Sequence, residues 1–262
     1  MMARKTEQDQ SSEILEEGHI YFAYRPKVHA ADEDEEPVEG IDDVQNFYLV
    51  LKPQGGRFRL IKVGRKRLPD IEGHERNWGF VEMIADSGKE IEEELQRDAY
   101  ETKTRGERVL PAARPAGEGV YALLRGGSRM HLAWAVELPN KPGPVQKAFN
   151  IPEEASLAIS IANPEKRAGP RTAQLSEEQQ ADYPKELQKE FRGRKFTTED
   201  PRLLDYEGAQ IVFIGAREDP ERAYAIDLQP EKESESSADI FKQLRFARSR
   251  HPVEPLLAGE WR

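Results

Sequence analysis

Cysteine is absent from all 262 residues, which removes disulfides, thiolate nucleophiles, cysteine-ligated zinc and iron–sulfur clusters together. Histidine is scarce. His19, His29, His74, His131 and His251 are scattered, and no two have the short spacing that brings two imidazoles onto one metal ion, so no metal centre is expected. Long apolar runs are missing too: nothing approaches the roughly 20 residues that a membrane-crossing helix needs. The opening MMARKTEQDQSSE has no apolar segment of a secretory leader. A cytoplasmic chain with a disordered start over residues 1–13 is the expectation.

Catalytic signatures are equally thin. Gly117-Glu118-Gly119-Val120-Tyr121-Ala122 spells G-x-G-x-x-A, but it runs into a strand pattern instead of opening a helix, so it lacks the context that makes the motif bind a dinucleotide. Ser128, in Gly126-Gly127-Ser128-Arg129-Met130, is not in a nucleophile elbow, and no Walker lysine or H-E-x-x-H occurs. No cofactor is expected. His131 falls on the polar side of its strand pattern and reads as a surface or edge residue.

Charge is plentiful. The 49 acids against 39 bases give a net −10, a field that repels polyanions and disfavours nucleic acid as a partner. Eight carboxylates crowd Ala30 to Asp43. Asp32-Glu33-Asp34-Glu35-Glu36 within it lacks the glycine and the terminal glutamate of a calcium loop, which leaves a solvated acidic insertion.

The dominant periodicity is two, the mark of strands with a buried face. Met130, Leu132, Trp134, Val136 and Leu138 alternate with His131, Ala133, Ala135 and Glu137, and Arg125-Gly126-Gly127-Ser128 joins them to Val120–Leu124 as a hairpin. A second hairpin folds Asn46–Lys52 onto Arg57–Val63 around Pro53-Gln54-Gly55-Gly56. Further strands are expected at 19–24, 78–84, 157–161, 210–214 and 223–228. Capping boxes at Ser87-x-x-Glu90 and Ser176-x-x-Gln179 start helices, Pro184 opens a short helix burying Leu187 and Phe191, and 237–247 reads as a final helix. The resulting expectation is an α+β protein, predominantly antiparallel sheet with about three helices, in two lobes. A β-rich unit with one helix over 14–142 would meet an α+β unit over 143–262 at the proline-rich 139–144.

Basic residues cluster on three stretches. Arg65, Lys66 and Arg67 follow a strand; Lys103, Arg105, Arg108 and Arg114 lie in a stretch read as a loop up to Gly119; Arg192, Arg194 and Lys195 follow a helix. Arginine presents a planar fork suited to carboxylate or phosphate, and a loop of that length in a compact domain is more often functional than merely connecting. The first two clusters are therefore the candidate ligand-binding residues. They point to a non-enzymatic protein that engages an anionic small molecule or a protein partner. The alternatives are an enzyme that clamps a phosphorylated or carboxylated small molecule, a scaffold with no ligand, and, for the arginines themselves, ordinary surface ion pairs.

Overall fold

The computed structural model describes residues 12–33, 35–104, 106–166, 168–169 and 175–262. In chain order it contains β1 (Glu13–Pro26), β2 (His29–Ala30), β3 (Val44–Pro53), β4 (Phe58–Val63), β5 (Arg76–Ala85) and α1 (Gly88–Leu95). Then come β6 (Asp98–Thr102), β7 (Gly106–Leu110), β8 (Arg114–Gly126), β9 (Arg129–Leu138), α2 (Pro144–Phe149) and β10 (Glu154–Ala162). The chain finishes with α3 (Lys185–Gln188), β11 (Phe196–Thr197), β12 (Gln210–Arg217), α4 (Pro220–Tyr224), α5 (Asp239–Lys242) and α6 (Glu254–Leu257).

Eight of these strands close a ring in the order β1-β3-β4-β5-β12-β10-β9-β8 and back to β1, every pairing antiparallel. Two meanders, β1-β3-β4-β5 and β8-β9-β10-β12, are joined side to side at β1–β8 and β5–β12. The short β11 extends the end of β10, and β2, β7 and β6 form a separate three-stranded sheet. This corrects the expected α+β fold in two lobes. Strands from both sides of Pro139–Pro144 pair in one barrel, with Ala133 of β9 opposite Ser156 of β10, and the helices are short pieces packed outside it. None of those helices, among the described residues, is long and apolar enough to cross a membrane.

Alternation decides which side chains fill the barrel. Ile20 and Phe22 of β1, Leu49 of β3, Leu123 of β8, Leu132 and Trp134 of β9 and Leu157 of β10 belong to one buried cluster, with Phe22 and Trp134 edge to face at 6.1 Å. Both ends are plugged. Phe149 from α2 stacks on Phe47 at 4.6 Å and meets Tyr24 and Trp261 at one end, while the cluster at the other includes Tyr183, Leu187, Phe191, Leu203 and Leu204. The outer wall is covered as well, because Tyr21, Tyr48, Val50 and Leu60 are packed under α1 and the C-terminal residues Ala238, Ile240, Leu244, Phe246 and Leu256.

Two glycines of the β1–β8 seam are closely approached by the backbone of the strand on their other side. His19 of β1 lies opposite Val120 of β8, with Gly18 opposite Tyr121 and Gly119 opposite Ile20 on either side of that pair. A Cβ on Gly119 would lie 2.0 Å from the Ala135 carbonyl oxygen, and one on Gly18 would lie 2.1 Å from that of Lys52. Gly18 and Gly119 are thus interior residues of long strands, where a missing side chain lets neighbouring strands nest.

Several local expectations change. The stretch from Lys103 to Gly119 is not a loop but the β6–β7 hairpin and the start of β8. Residues 223–228 hold the end of α4, capped by Asp219 and started by Pro220, in place of a strand. Ser176 caps only a single tight turn, and the final helix shrinks to α5, since Arg245 takes a positive φ of 56°.

Gly119→Ala is expected to cost about 1–3 kcal/mol or more, the range of an overpacked core, in urea-induced unfolding. Gly40→Ala, whose added methyl meets nothing within 4 Å, is expected to stay within about 0.5 kcal/mol of the parent.

Candidate functional site

Three arginines are withdrawn from water, and they differ in how fully they are satisfied. Arg59 of β4 is 2% exposed and donates to both carboxylate oxygens of Glu16, at 2.6 and 2.8 Å, and to Asp205 at 2.8 Å. Tyr121 donates to the same Glu16 carboxylate at 2.8 Å, and the two carboxylates hold the guanidinium pKa above its ordinary value against the opposing effect of burial. Arg25 of β1 caps the end of α1, donating to the carbonyls of Glu94, Gln96 and Pro111 at 2.7–3.0 Å. Both act as structural ties.

Arg114 is different. It opens β8 directly opposite Tyr24 of β1, it is 4% exposed, and its one carboxylate contact is Nη2 to Glu35 Oε1 at 2.5 Å. Its Nε and Nη1 are buried and make no well-formed hydrogen bond among the described residues, and neither does the Tyr24 hydroxyl, although the guanidinium lies close enough to act on that hydroxyl. Burial pushes the Tyr24 phenol up to about 12 despite the downward pull of the Arg114 guanidinium, so the hydroxyl stays protonated at neutral pH. A guanidinium fork suits two parallel bonds to one oxyanion, whereas Glu35 engages it through a single nitrogen.

The other cations named from the sequence are placed separately. Arg65 and Arg67 converge on Glu75, at 2.6 and 3.2 Å, and together with a backbone N–H they hold that carboxyl below its ordinary range. Lys66 donates to the Val44 carbonyl at 2.5 Å. Arg108 reaches the Val28 carbonyl at 3.4 Å from the small sheet, Lys103 is exposed at the β6–β7 turn, and Arg105 lies outside the described residues. The two clusters thus do not converge, Arg65 and Arg67 meeting Glu75 and Arg114 meeting Glu35, and Arg114 alone among those described is buried. Arg25 and Arg59 escaped the sequence reading, although both adjoin unbroken apolar runs, Tyr21-Phe22-Ala23-Tyr24 and Leu60-Ile61.

Glu35 belongs to the acidic segment, where residues 35–39 have no regular structure, Val38 is buried, and a single 3-10 turn at Ile41–Asp43 leads into β3. Under it lies a cleft of about 510 Å³ lined by Pro26, Val28, His29, Glu33, Glu35 and Val38, among others. A second, more open cleft of about 690 Å³ carries Asp70, Glu72, Glu153, Glu154 and Glu218 against Lys147. Partial burial first, and then Glu221, Asp219 and Glu153, raise the Glu154 pKa.

His131 is not a surface residue. It is packed under α4, where Tyr224 donates to its Nδ1 at 2.9 Å and the Ser156 hydroxyl stands 3.4 Å from the Tyr224 oxygen. Burial lowers the imidazole to about 4. The ring is neutral at physiological pH and Ser156 is fully buried, so this chain of groups is a packed polar link between β9, β10 and α4.

The contrast between the arginines is measurable. Arg59→Met strands Glu16 and Asp205 and is expected to cost about 3–5 kcal/mol of unfolding free energy, as for a broken buried ion pair. Arg114→Met leaves only the half-exposed Glu35 behind and is expected to stay within about 1 kcal/mol. Comparison with protein-family models, curated proteins and solved structures finds no match, so function must be read from these side chains themselves.

Proposed function

We propose that the protein is a non-enzymatic binding module, working in the cytoplasm, that takes a carboxylate from an acidic segment of a partner protein at Arg114 and Tyr24. The observation that carries this reading is the incomplete satisfaction of Arg114. A buried donor without a partner costs about 1–3 kcal/mol, and among the described residues two guanidinium nitrogens and the phenol beside them lack a well-formed hydrogen bond. A carboxylate that engaged the fork with both oxygens would recover that cost. The group now on Arg114 is itself a glutamate in an extended acidic stretch, which supports an acidic peptide as the ligand. The net charge of −10 opposes such a partner at long range. Specificity therefore rests on the desolvated contact and the cleft beside it, and binding is expected to strengthen as salt screens the repulsion.

Glu35 is 39% exposed, so shortening it opens Arg114 to water. Calorimetry with a peptide of sequence Asp-Glu-Asp-Glu-Glu-Pro, copied from residues 32–37, tests the reading. Glu35→Ala is expected to bind it about ten- to a hundredfold more tightly than the parent, the worth of a charged hydrogen-bonded contact, and Glu35→Ala with Arg114→Met to lose that gain. Equal binding by the two variants, or binding of inorganic phosphate with no response to the peptide, would overturn the proposal.

A further inference from the structure

The C-terminal chain crosses the outer wall of β1, β8 and β9 as a strap from Gln229 to Leu244, and its backbone is held by carboxyl groups. Glu118 of β8 is fully buried and accepts from the backbone N–H of Ile240 at 2.7 Å and of Asp239 at 3.1 Å. Glu137 of β9, also buried, accepts from the backbone N–H of Glu231 at 2.7 Å. The strap brings its own acids to the same place. Glu233 accepts from the same Asp239 N–H, at 3.2 Å, so two carboxyl groups meet on one donor, and Asp239 stands 3.2 Å from His19 of β1. Tyr21 of β1 completes the group: it is 1% exposed, its hydroxyl has no partner among the described residues, and Glu118, Glu137, Glu233 and Asp239 all act on it. Lys242 is the nearby cation, and it lies 3.5 Å from Asp239 on the strap's outer side.

Two carboxyl groups crowded on one N–H, one of them fully buried, repel each other unless one carries a proton. The geometry points to a proton-controlled latch: the strap docks on the barrel wall while Glu118 and Glu233 share a proton, and it loosens when that proton leaves, uncovering Tyr21, Tyr48 and Val50. Burial first, and then the neighbouring Glu233, raise the Glu118 carboxyl to about 9; burial first, and then Glu233 and Asp239, raise Glu137 to about 7. Both groups hold protons more tightly docked than free, so the contribution to docking is complete below the ordinary value of 4.5. It declines as pH rises towards 7 and 9 and is exhausted above that. The observation is independent of Arg114, and neither proposal depends on the other.

Hydrogen exchange on the full chain from pH 5 to 10, corrected for the intrinsic base-catalysed rate, is the test. Protection of the Ile240 amide is expected to fall as pH rises, by up to about tenfold per pH unit between 7 and 9 where Glu118 alone remains linked, and more steeply below 7 where Glu137 adds a second linked proton; it should level off above about 9, while the Leu132 amide inside the barrel stays protected. Glu118→Gln keeps a donor and an acceptor at the latch without a titration, and should flatten the profile. Should that variant fold poorly, Glu233→Gln removes the rival charge and should hold the strap closed at high pH. A pH-independent Ile240 amide, an unchanged slope in the variant that folds, or loss of Leu132 protection in step with Ile240 would overturn the latch.

Discussion

The seam between β1 and β8 is the constraint from which the rest of the structure follows. These two long strands, about a hundred residues apart in the chain, are the joint at which the first meander meets the second, and their pairing runs from Glu13 opposite Arg125 to Tyr24 opposite Arg114. An open sheet of this length would leave two edges with unpaired N–H and C=O groups; closure removes them. Both strands also nest tightly against their other neighbours, for at Gly18 the Lys52 carbonyl of β3 and at Gly119 the Ala135 carbonyl of β9 stand where a side chain would begin. Once the ring is closed its interior is fixed in volume, and aromatic side chains fill it so fully that it holds a packed core. Ligand chemistry is thereby displaced to the barrel's ends and outer wall.

Each functional feature sits at a point along that seam. Arg114 lies at the end where the strands diverge, beside Tyr24 and beneath the acidic segment. Glu118, four residues further on, faces outward against the strap. Tyr121 and Glu16, at the opposite end, complete the cage around Arg59. The three show how burial sorts charged groups. Arg59 is enclosed by two carboxylates and is structural, Glu118 is stabilised by giving up its charge, and Arg114 remains charged with part of its hydrogen-bonding capacity unused. Stability is best served by the first arrangement; the third is the kind that a binding site retains at some loss of stability.

Much of the local structure was legible in the chain. Gly55 and Gly127 adopt the positive φ that their hairpin turns require, Pro26 and Pro53 end strands, and Ser87 with Glu90 forms the capping box that starts α1. What could not be read was what lay outside each strand. His131, Ala133 and Glu137 form a face that looks wet in alternation, yet α4 and the strap cover it, and nothing local in Met130–Leu138 records that cover. Lys103–Gly119 resembles a loop because β6 and β7 are solvated, so their alternation carries no apolar signal. The two-lobe reading failed for the same reason in larger form: the pairing of β9 with β10 spans the proline-rich 139–144, and antiparallel neighbours separated by such a segment look like separate units until their register is seen.

Of the basic residues singled out, Arg114 was marked by charge alone, with no signal for its burial, while Arg25 and Arg59 were passed over because an arginine at the edge of an apolar run reads as a strand's end. The account as a whole turns on whether the contact of Arg114 with Glu35 is exchangeable. A crystal structure of the Glu35→Ala protein with the acidic peptide bound tests this most directly. The account predicts a peptide carboxylate on the Arg114 fork through two oxygens, with the Tyr24 hydroxyl donating to it and the barrel unchanged. A peptide seated elsewhere, with Arg114 still lacking an oxyanion, would contradict it.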